Sequence, residues 1–218
     1  MTFYAGFDID EFPGLDQLAW LKKATNLSWC GYPLADQWKG RRKDLIKQGW
    51  GLLPVYKSQP TDPTDSNPEQ QGKTDGEQAA DLMRKEGFPR NAYVFIDWKS
   101  SSLPDNAETY LRAWVDAVQK NGYMPGVHCS TALASSITSW MDDKAAAKPR
   151  IWATKASTDE PHLYSGAVSD FPAKDPAGSG YSTATAWQYQ TNAVLMLWTM
   201  QVDLSSSTLE NPSAPSAS

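Results

Sequence analysis

The residues best equipped for chemistry in this chain are acids that close apolar runs. Asp8 ends "FYAGFD" with Asp10 two places on, Asp97 ends "YVFID" and is followed by Trp98 and Lys99, and Asp203 lies in the late segment "QVDL". Other groups hold comparable places: Tyr56 at the end of "GLLPVY", His128 in "YMPGVHCS", Trp152 in "RIWATKAS", and Trp187, Gln188 and Gln190 in or beside "AWQYQ". Cleavage of a glycosidic bond needs one carboxyl to protonate the leaving oxygen. It also needs a second negative group, or a substrate group held by one, to stabilise the oxocarbenium-like centre. On a strand, residues i and i+2 point the same way with Cα atoms about 6.6 Å apart. A D-x-E at a strand end would therefore supply an adjacent pair, but here the second place is taken by Lys99.

An ammonium group there favours the ionised form of Asp97, the wrong direction for a group that must hold a proton near neutral pH. Three readings follow. In a hydrolase, Asp97 is the nucleophile or electrostatic stabiliser and the proton comes from Asp10 or Glu11 on the first loop. In an inactive barrel, glycan is bound through Trp98, Trp152, Trp187 and polar strand-end groups, with Lys99 paired to Asp97. In a structural or partner-binding protein, the acids only neutralise Lys99. His128 is either an acid–base group or sugar contact, or a satisfied barrel residue. A hard cation among Asp8, Asp97 and Asp203 would be opposed by Lys99. No metal and no cofactor is expected.

These residues must be positioned by the elements around them. "FYAGFD", "LSWCGYPL", "GLLPVYKS", "AYVFIDW", "YMPGVHCS" and "RIWATKAS" read as strands. They alternate with helical patterns, of which "NAETYLRAWVDAVQKNG" is the clearest, with Tyr110, Leu111, Trp114, Val115 and Val118 at helical steps. Repeated alternation predicts a parallel sheet with helices outside, as a barrel or an open doubly wound sheet. No GxGxxG follows the first strand and no GxxxxGK[ST] occurs, which removes support from nucleotide binding. In parallel barrels the working residues lie at the C-terminal strand ends, so the groups above converge on one mouth. The polar stretch 59–76 reads as a long exposed loop, with the third helix beginning near Gly76. After about residue 156 the helical period is lost and β-rich segments follow. The expected organisation is one domain over 1–204 and a low-complexity, disordered tail over 205–218.

The 218 residues are 40% hydrophobic, enough for one sizeable core. A net charge of -5 disfavours nucleic acid as a partner. Cys30 and Cys129 lie in apolar stretches without CxxC spacing and read as buried free thiols, with one disulfide as the alternative. No apolar run is long enough for a membrane span and "MTFYAGFDID" has no signal-peptide pattern, so a soluble monomer is expected. Ten tryptophans and nine tyrosines exceed what such a core needs, and aromatic rings commonly line sugar sites. "NLS" at Asn26 fits the glycosylation pattern.

Taken in order, "GFDIDEFPG", "TNLSWCGYPL", "GWGLLPVY", "TDGEQAADLMRKEGFP", "YVFIDW", "YMPGVHCS", "AWQYQ" and "QVDL" resemble the Rv2525c-like glycoside-hydrolase-like domain (DUF1906) family, a relative of the family 25 lysozymes, from about residue 3 to 204. The resemblance implies an α/β fold, a modified TIM-type (β/α) barrel whose last strands lack regular crossover helices, and a peptidoglycan-type polysaccharide as ligand. By motif, Asp8 matches the family's first-strand aspartate, Asp97 the first acid of its D-x-E and Asp203 the aspartate of its closing segment. Lys99 departs from the pattern, standing where the family's glutamate is the expected general acid. The function expected is a lysozyme-like glycoside hydrolase in an exported or cell-wall setting, with a catalytically inactive glycan-binding barrel as the alternative.

Overall fold

A computed structural model describes residues 1–57, 67–141, 148–157, 163–164, 171–195 and 199–215. Eight strands close into a mixed barrel: β1 (Tyr4–Asp8), β2 (Trp29–Pro33), β3 (Gly51–Tyr56), β4 (Tyr93–Asp97), β5 (Met124–Ser130), β6 (Arg150–Ser157), β8 (Ala186–Leu195) and β9 (Met200–Ser207). β7 (Leu163–Tyr164) is added to β8 outside this ring. β1 to β6 are parallel neighbours, β8 runs parallel to β6, and β9 closes the ring antiparallel to both β8 and β1.

Helices α1 (Leu15–Ala24), α2 (Arg42–Lys47), α3 (Pro68–Lys85), α4 (Ala107–Lys120) and α5 (Thr131–Ser139) fill the first five crossovers. Between β6 and β8 the described residues hold only β7 and a 3₁₀ turn at Pro176–Ser179. The barrel expected from sequence, with its irregular last third, is therefore the fold observed.

Strand alternation divides the apolar residues into two cores. Trp29, Leu53, Val55, Tyr93, Phe95, Trp152 and Ala186 fill the barrel, while their neighbours in sequence, such as Leu52, Val94, Ile96 and Ala153, pack under the helices. The interior holds large rings because small residues face them. A Cβ on Gly6 would lie 2.2 Å from the Trp29 ring, and one on Gly126 would lie 2.5 Å from that of Phe95. These rings form the floor on which the strand-end groups stand.

Two expectations are corrected. The stretch read as loop up to Gly76 is helical from Pro68, because Asn67 caps the Gln70 N–H and proline occupies the first turn. Gly72 and Gly76 are not turn residues but the face of α3 pressed on α4, where a Cβ at Gly72 would meet the Tyr110 carbonyl oxygen at 2.2 Å. Residues 59–66 of that stretch, and His162, lie outside the described residues.

The tail is likewise ordered over most of its length. Ser205–Ser207 are buried rungs of β9, and residues beyond them cap the N-terminal end of the barrel. Arg150 Nη1 donates to the Pro212 and Ala214 carbonyls at 2.8 and 2.6 Å, the Leu52 N–H to Asn211 Oδ1 at 3.1 Å, and the Tyr93 N–H to the Ser213 carbonyl at 2.9 Å. Low complexity misleads here because the serines and prolines supply backbone partners rather than apolar bulk. Residues 216–218 are outside the described set.

Candidate functional site

At the C-terminal end of the barrel lies a cleft of about 1100 Å³. Its lining includes Asp8, Asp10, Glu11, Asp97, Trp98, Lys99, His128, Thr154, Gln188 and Asp203. The register explains the meeting of the first and last acids: Asp8 and Asp203 are direct partners across β1 and β9. Gln188, buried on β8, bridges them, its Nε2 donating to Asp8 Oδ1 and Oδ2 at 3.1 and 3.3 Å and to Asp203 Oδ2 at 3.2 Å. The Asn192 N–H donates to the other Asp203 oxygen at 2.9 Å.

Asp97 and His128 are partners across β4 and β5, and His128 Nδ1 lies 3.1 Å from Asp97 Oδ1. The imidazole is stacked on the Trp152 ring, with centroids 3.9 Å apart and planes 20° apart. Its Nε2 meets Thr154 Oγ1 at 2.7 Å, and that hydroxyl lies 3.2 Å from Gln188 Oε1. Lys99 Nζ stands 3.6 Å from Asp97 Oδ2, but the lysine side chain is 67% exposed against 13% for Asp97.

Electrostatics separates the two acidic centres. Burial alone would push the Asp97 carboxyl up, but the hydrogen bond and charge of His128, aided by Lys99, outweigh it and hold the group below the usual carboxylate range. Burial raises Asp8 well above that range, the Asp203 charge raises it further, and the Gln188 hydrogen bond offsets only part. Asp203 is raised in the same direction, chiefly by burial. Asp97 is thus the more readily ionised group, and the Asp8–Asp203 pair binds a proton more readily than Asp97 does.

Several groups expected at the mouth are elsewhere. Val55 fills the barrel, so by alternation Tyr56 points outward and donates to Gln78 Oε1 on α3 at 2.8 Å. Trp152 faces inward but one layer below the cleft, where its Nε1 donates to Ser205 Oγ at 3.2 Å. Trp187 points away from the barrel axis, its Nε1 on the Lys155 carbonyl at 3.1 Å. Gln190 does not line the cleft either. Trp98 does, yet it is 6% exposed and packed towards Tyr110. Asp10 is 74% exposed and paired with Lys57 at 3.0 Å, and Glu11 lies beside it on the rim.

Thr154, the backbone of Asn192 and Lys57 were not singled out from sequence. Thr154 was within reach, since it is two places beyond Trp152 on the same strand face. Cys30 and Cys129 are buried free thiols. Burial pushes the Cys129 thiol up to about 12, which leaves it protonated and unreactive. The Asn26 amide is committed to the backbone of Phe171, donating to its carbonyl and accepting from its N–H, both at 2.8 Å. Among the described residues, no group of three or more His, Cys, Asp or Glu is placed to hold a metal, and no helix is long and apolar enough to cross a membrane.

Solved structures with the same architecture include an uncharacterized protein of B. stearothermophilus. It is 20% identical, covers 93% of this chain and 94% of its own, and has a TM-score of 0.67. The Tat-secreted protein Rv2525c of Mycobacterium tuberculosis, in complex with L-tartrate, is 12% identical with 93% of each chain covered and a TM-score of 0.60. The spore cortex lytic enzyme SleM of Clostridium perfringens is 13% identical over 94% of this chain and 67% of its own, also at 0.60. At these identities the likeness is one of fold. No curated protein matches the chain. The sequence itself carries the relationship further: residues 22–203 match the Rv2525c-like, glycoside hydrolase-like domain, and the chain belongs to that family.

Proposed function

We propose that this protein is a lysozyme-like glycoside hydrolase acting on peptidoglycan or a related cell-wall glycan. The observation that carries the reading is the meeting of two acidic centres in one cleft, with the Asp97 carboxyl held down by His128 and Lys99 and those of Asp8 and Asp203 pushed up by burial. Carboxyls whose surroundings drive their pKa values apart divide acid and base roles between them. In this assignment the Asp8–Asp203 pair protonates the leaving oxygen and Asp97 stabilises the positive centre that develops at the sugar. The proton source thus moves from the first-loop acids to the barrel wall, and Lys99 ceases to be an obstacle, because Asp97 is not asked to donate. Asp10, Trp98 and Lys99 are assigned to the walls that orient the glycan. Membership of a glycoside hydrolase-like family and the fold shared with a spore cortex lytic enzyme support the substrate class, and the fold shared with a Tat-secreted protein supports an exported setting.

The test is release of new reducing ends from purified peptidoglycan. Wild type should release them, while Asp97→Asn and Asp8→Asn should each lose the activity by a factor of at least about 10². A second reading, glycan binding without cleavage, is favoured by one observation: a cation replaces the expected second acid 3.6 Å from Asp97. Binding of peptidoglycan by wild type without reducing-end release, unchanged in Asp97→Asn, would establish that reading and refute the first.

A further inference from the structure

Between the two acidic centres runs an unbroken file of side chains drawn from β4, β5, β6 and β8. Asp97 Oδ1 meets His128 Nδ1 at 3.1 Å, His128 Nε2 meets Thr154 Oγ1 at 2.7 Å, Thr154 Oγ1 meets Gln188 Oε1 at 3.2 Å, and Gln188 Nε2 reaches Asp8 and Asp203. Direct cleavage chemistry requires neither Thr154 nor Gln188. We infer that Thr154 and Gln188 form a hydrogen-bond relay that couples the charge of the Asp8–Asp203 pair to the protonation of His128.

The argument rests on the direction of each bond. A carboxylate only accepts, so ionised Asp8 and Asp203 draw the amide NH₂ of Gln188 towards them and turn its carbonyl to Thr154. The single hydroxyl hydrogen of Thr154 then goes to Gln188 Oε1. Towards His128 the hydroxyl can only accept, so Nε2 must carry a hydrogen. Nδ1 carries one as well, because Asp97 accepts from it. Both ring nitrogens are donors in this arrangement.

A carboxyl hydrogen on the pair, directed at Gln188, reverses each bond between the pair and His128 Nε2 and leaves the Nδ1 bond to Asp97 as it was. The amide carbonyl turns to the acids, its NH₂ donates to Thr154 Oγ1, and the hydroxyl hydrogen points at His128 Nε2, which becomes an acceptor. The imidazole then keeps its hydrogen on Nδ1 alone. The proton count balances: the hydrogen gained by the pair and the one lost from Nε2 exchange with solvent, and the relay transmits orientation only. The first arrangement satisfies every group in the file, the second every group from the Gln188 NH₂ to Asp97, and a mixed one leaves two donors or two acceptors facing each other.

The groups facing each end are few. His128 faces Asp97 of β4, with Lys99 just beyond it, Asp203 of β9, and the uncharged Trp152 of β6. Asp8 faces Asp203 of β9, Asp97 of β4 and Asp10 of its own loop. The catalytic meaning rests on the hydrolase reading: once the pair gives up its proton, the relay favours a fully protonated imidazole beside Asp97. The coupling itself needs no substrate.

A double-mutant cycle tests it. The chain has two histidines, so ¹⁵N-histidine labelling gives two ring systems, and His128→Gln assigns them. The His128 protonation constant is measured from Nε2 with Asp8 or Asn at position 8, in wild type, Thr154→Val and Thr154→Ser. The expected result is a change of about threefold or more on Asp8→Asn in wild type and Thr154→Ser, falling to the residual through-space effect in Thr154→Val. Gln188→Met severs the file at a second point and should match Thr154→Val, which keeps the test intact if either variant folds poorly. An equal response in wild type and both severed variants would overturn the relay, as would loss of the response in Thr154→Ser. Because no glycan is present, failure here is separate from failure to release reducing ends.

Discussion

Removing Lys99 should disturb Asp97 less than removing His128, although Lys99 is the residue that breaks the family pattern. Lys99 is 67% exposed and its ammonium stands 3.6 Å from the carboxylate. Ion pairs so exposed are worth about 0.2–1 kcal/mol, a small hold on the Asp97 carboxylate. His128 and Asp97 are 15% and 13% exposed with a contact of 3.1 Å. A hydrogen bond to a charged group in such a place contributes about 1.5–3 kcal/mol. Both partners favour the ionised carboxyl, so Lys99→Met and His128→Gln should each raise its titration, the second by more.

Stability carries the same sign. The folded-state value lies below the unfolded one, so the contribution of Asp97 is present above the unfolded value near ~3.9 and is lost as pH falls through the folded value. The assay is ¹³C-carboxyl NMR of aspartate-labelled protein across the acidic range, with Asp97→Asn for assignment. A shift from Lys99→Met equal to or larger than that from His128→Gln would refute the reasoning, because the exposed lysine would then govern the site.

Three further outcomes are expected. Asp8→Asn should abolish reducing-end release yet raise Tm at neutral pH by the equivalent of about 0.5–2 kcal/mol. The raised Asp8 value makes folding less favourable as pH climbs from the unfolded carboxyl value to the folded one, and asparagine removes that loss; a lower Tm would contradict the sign. Ending the chain after Ser207 should abolish cooperative thermal unfolding. It strips partners from Arg150 and from the buried N–H groups of Leu52 and Tyr93, at about 1–3 kcal/mol for each group left unsatisfied. Gly72→Ala should destabilise by roughly 1–3 kcal/mol in urea unfolding despite alanine's helix propensity, because its Cβ would meet the Tyr110 carbonyl oxygen at 2.2 Å.

Much of the barrel was legible because its first six strands are short apolar runs closed by polar residues, and its helices keep a clean period in between. The strand-end rule brought out Asp8, Asp97, His128, Gln188 and Asp203, which share one cleft. It failed at Tyr56 and Trp187 because it counts distance along a strand and ignores which face a residue takes. At Trp152 the face was inward but the depth was wrong, with His128 stacked above it. Gln188 and Gln190 could not be separated from sequence, since the pairing of β8 with β9 is irregular between them. The opposite electrostatics of the two acidic centres was invisible for a different reason. It depends on Asp8 and Asp203 becoming partners across a ring closure that no local pattern records.

That closure has a consequence for how the site comes into being. β9 pairs Tyr4 with Ser207 at one end and Asp8 with Asp203 at the other, so segments about 200 residues apart in the chain form one seam of the ring. Contacts of such separation carry the loop-closure entropy that slows folding. Until the seam forms, β1 presents an open strand edge, and the two aspartates remain apart in water as ordinary ionised carboxylates. Forming the seam therefore brings like charges together, and the electrostatic work is smallest where one of them is already protonated. Assembly of the acid pair and completion of the barrel are one event, and acid favours it.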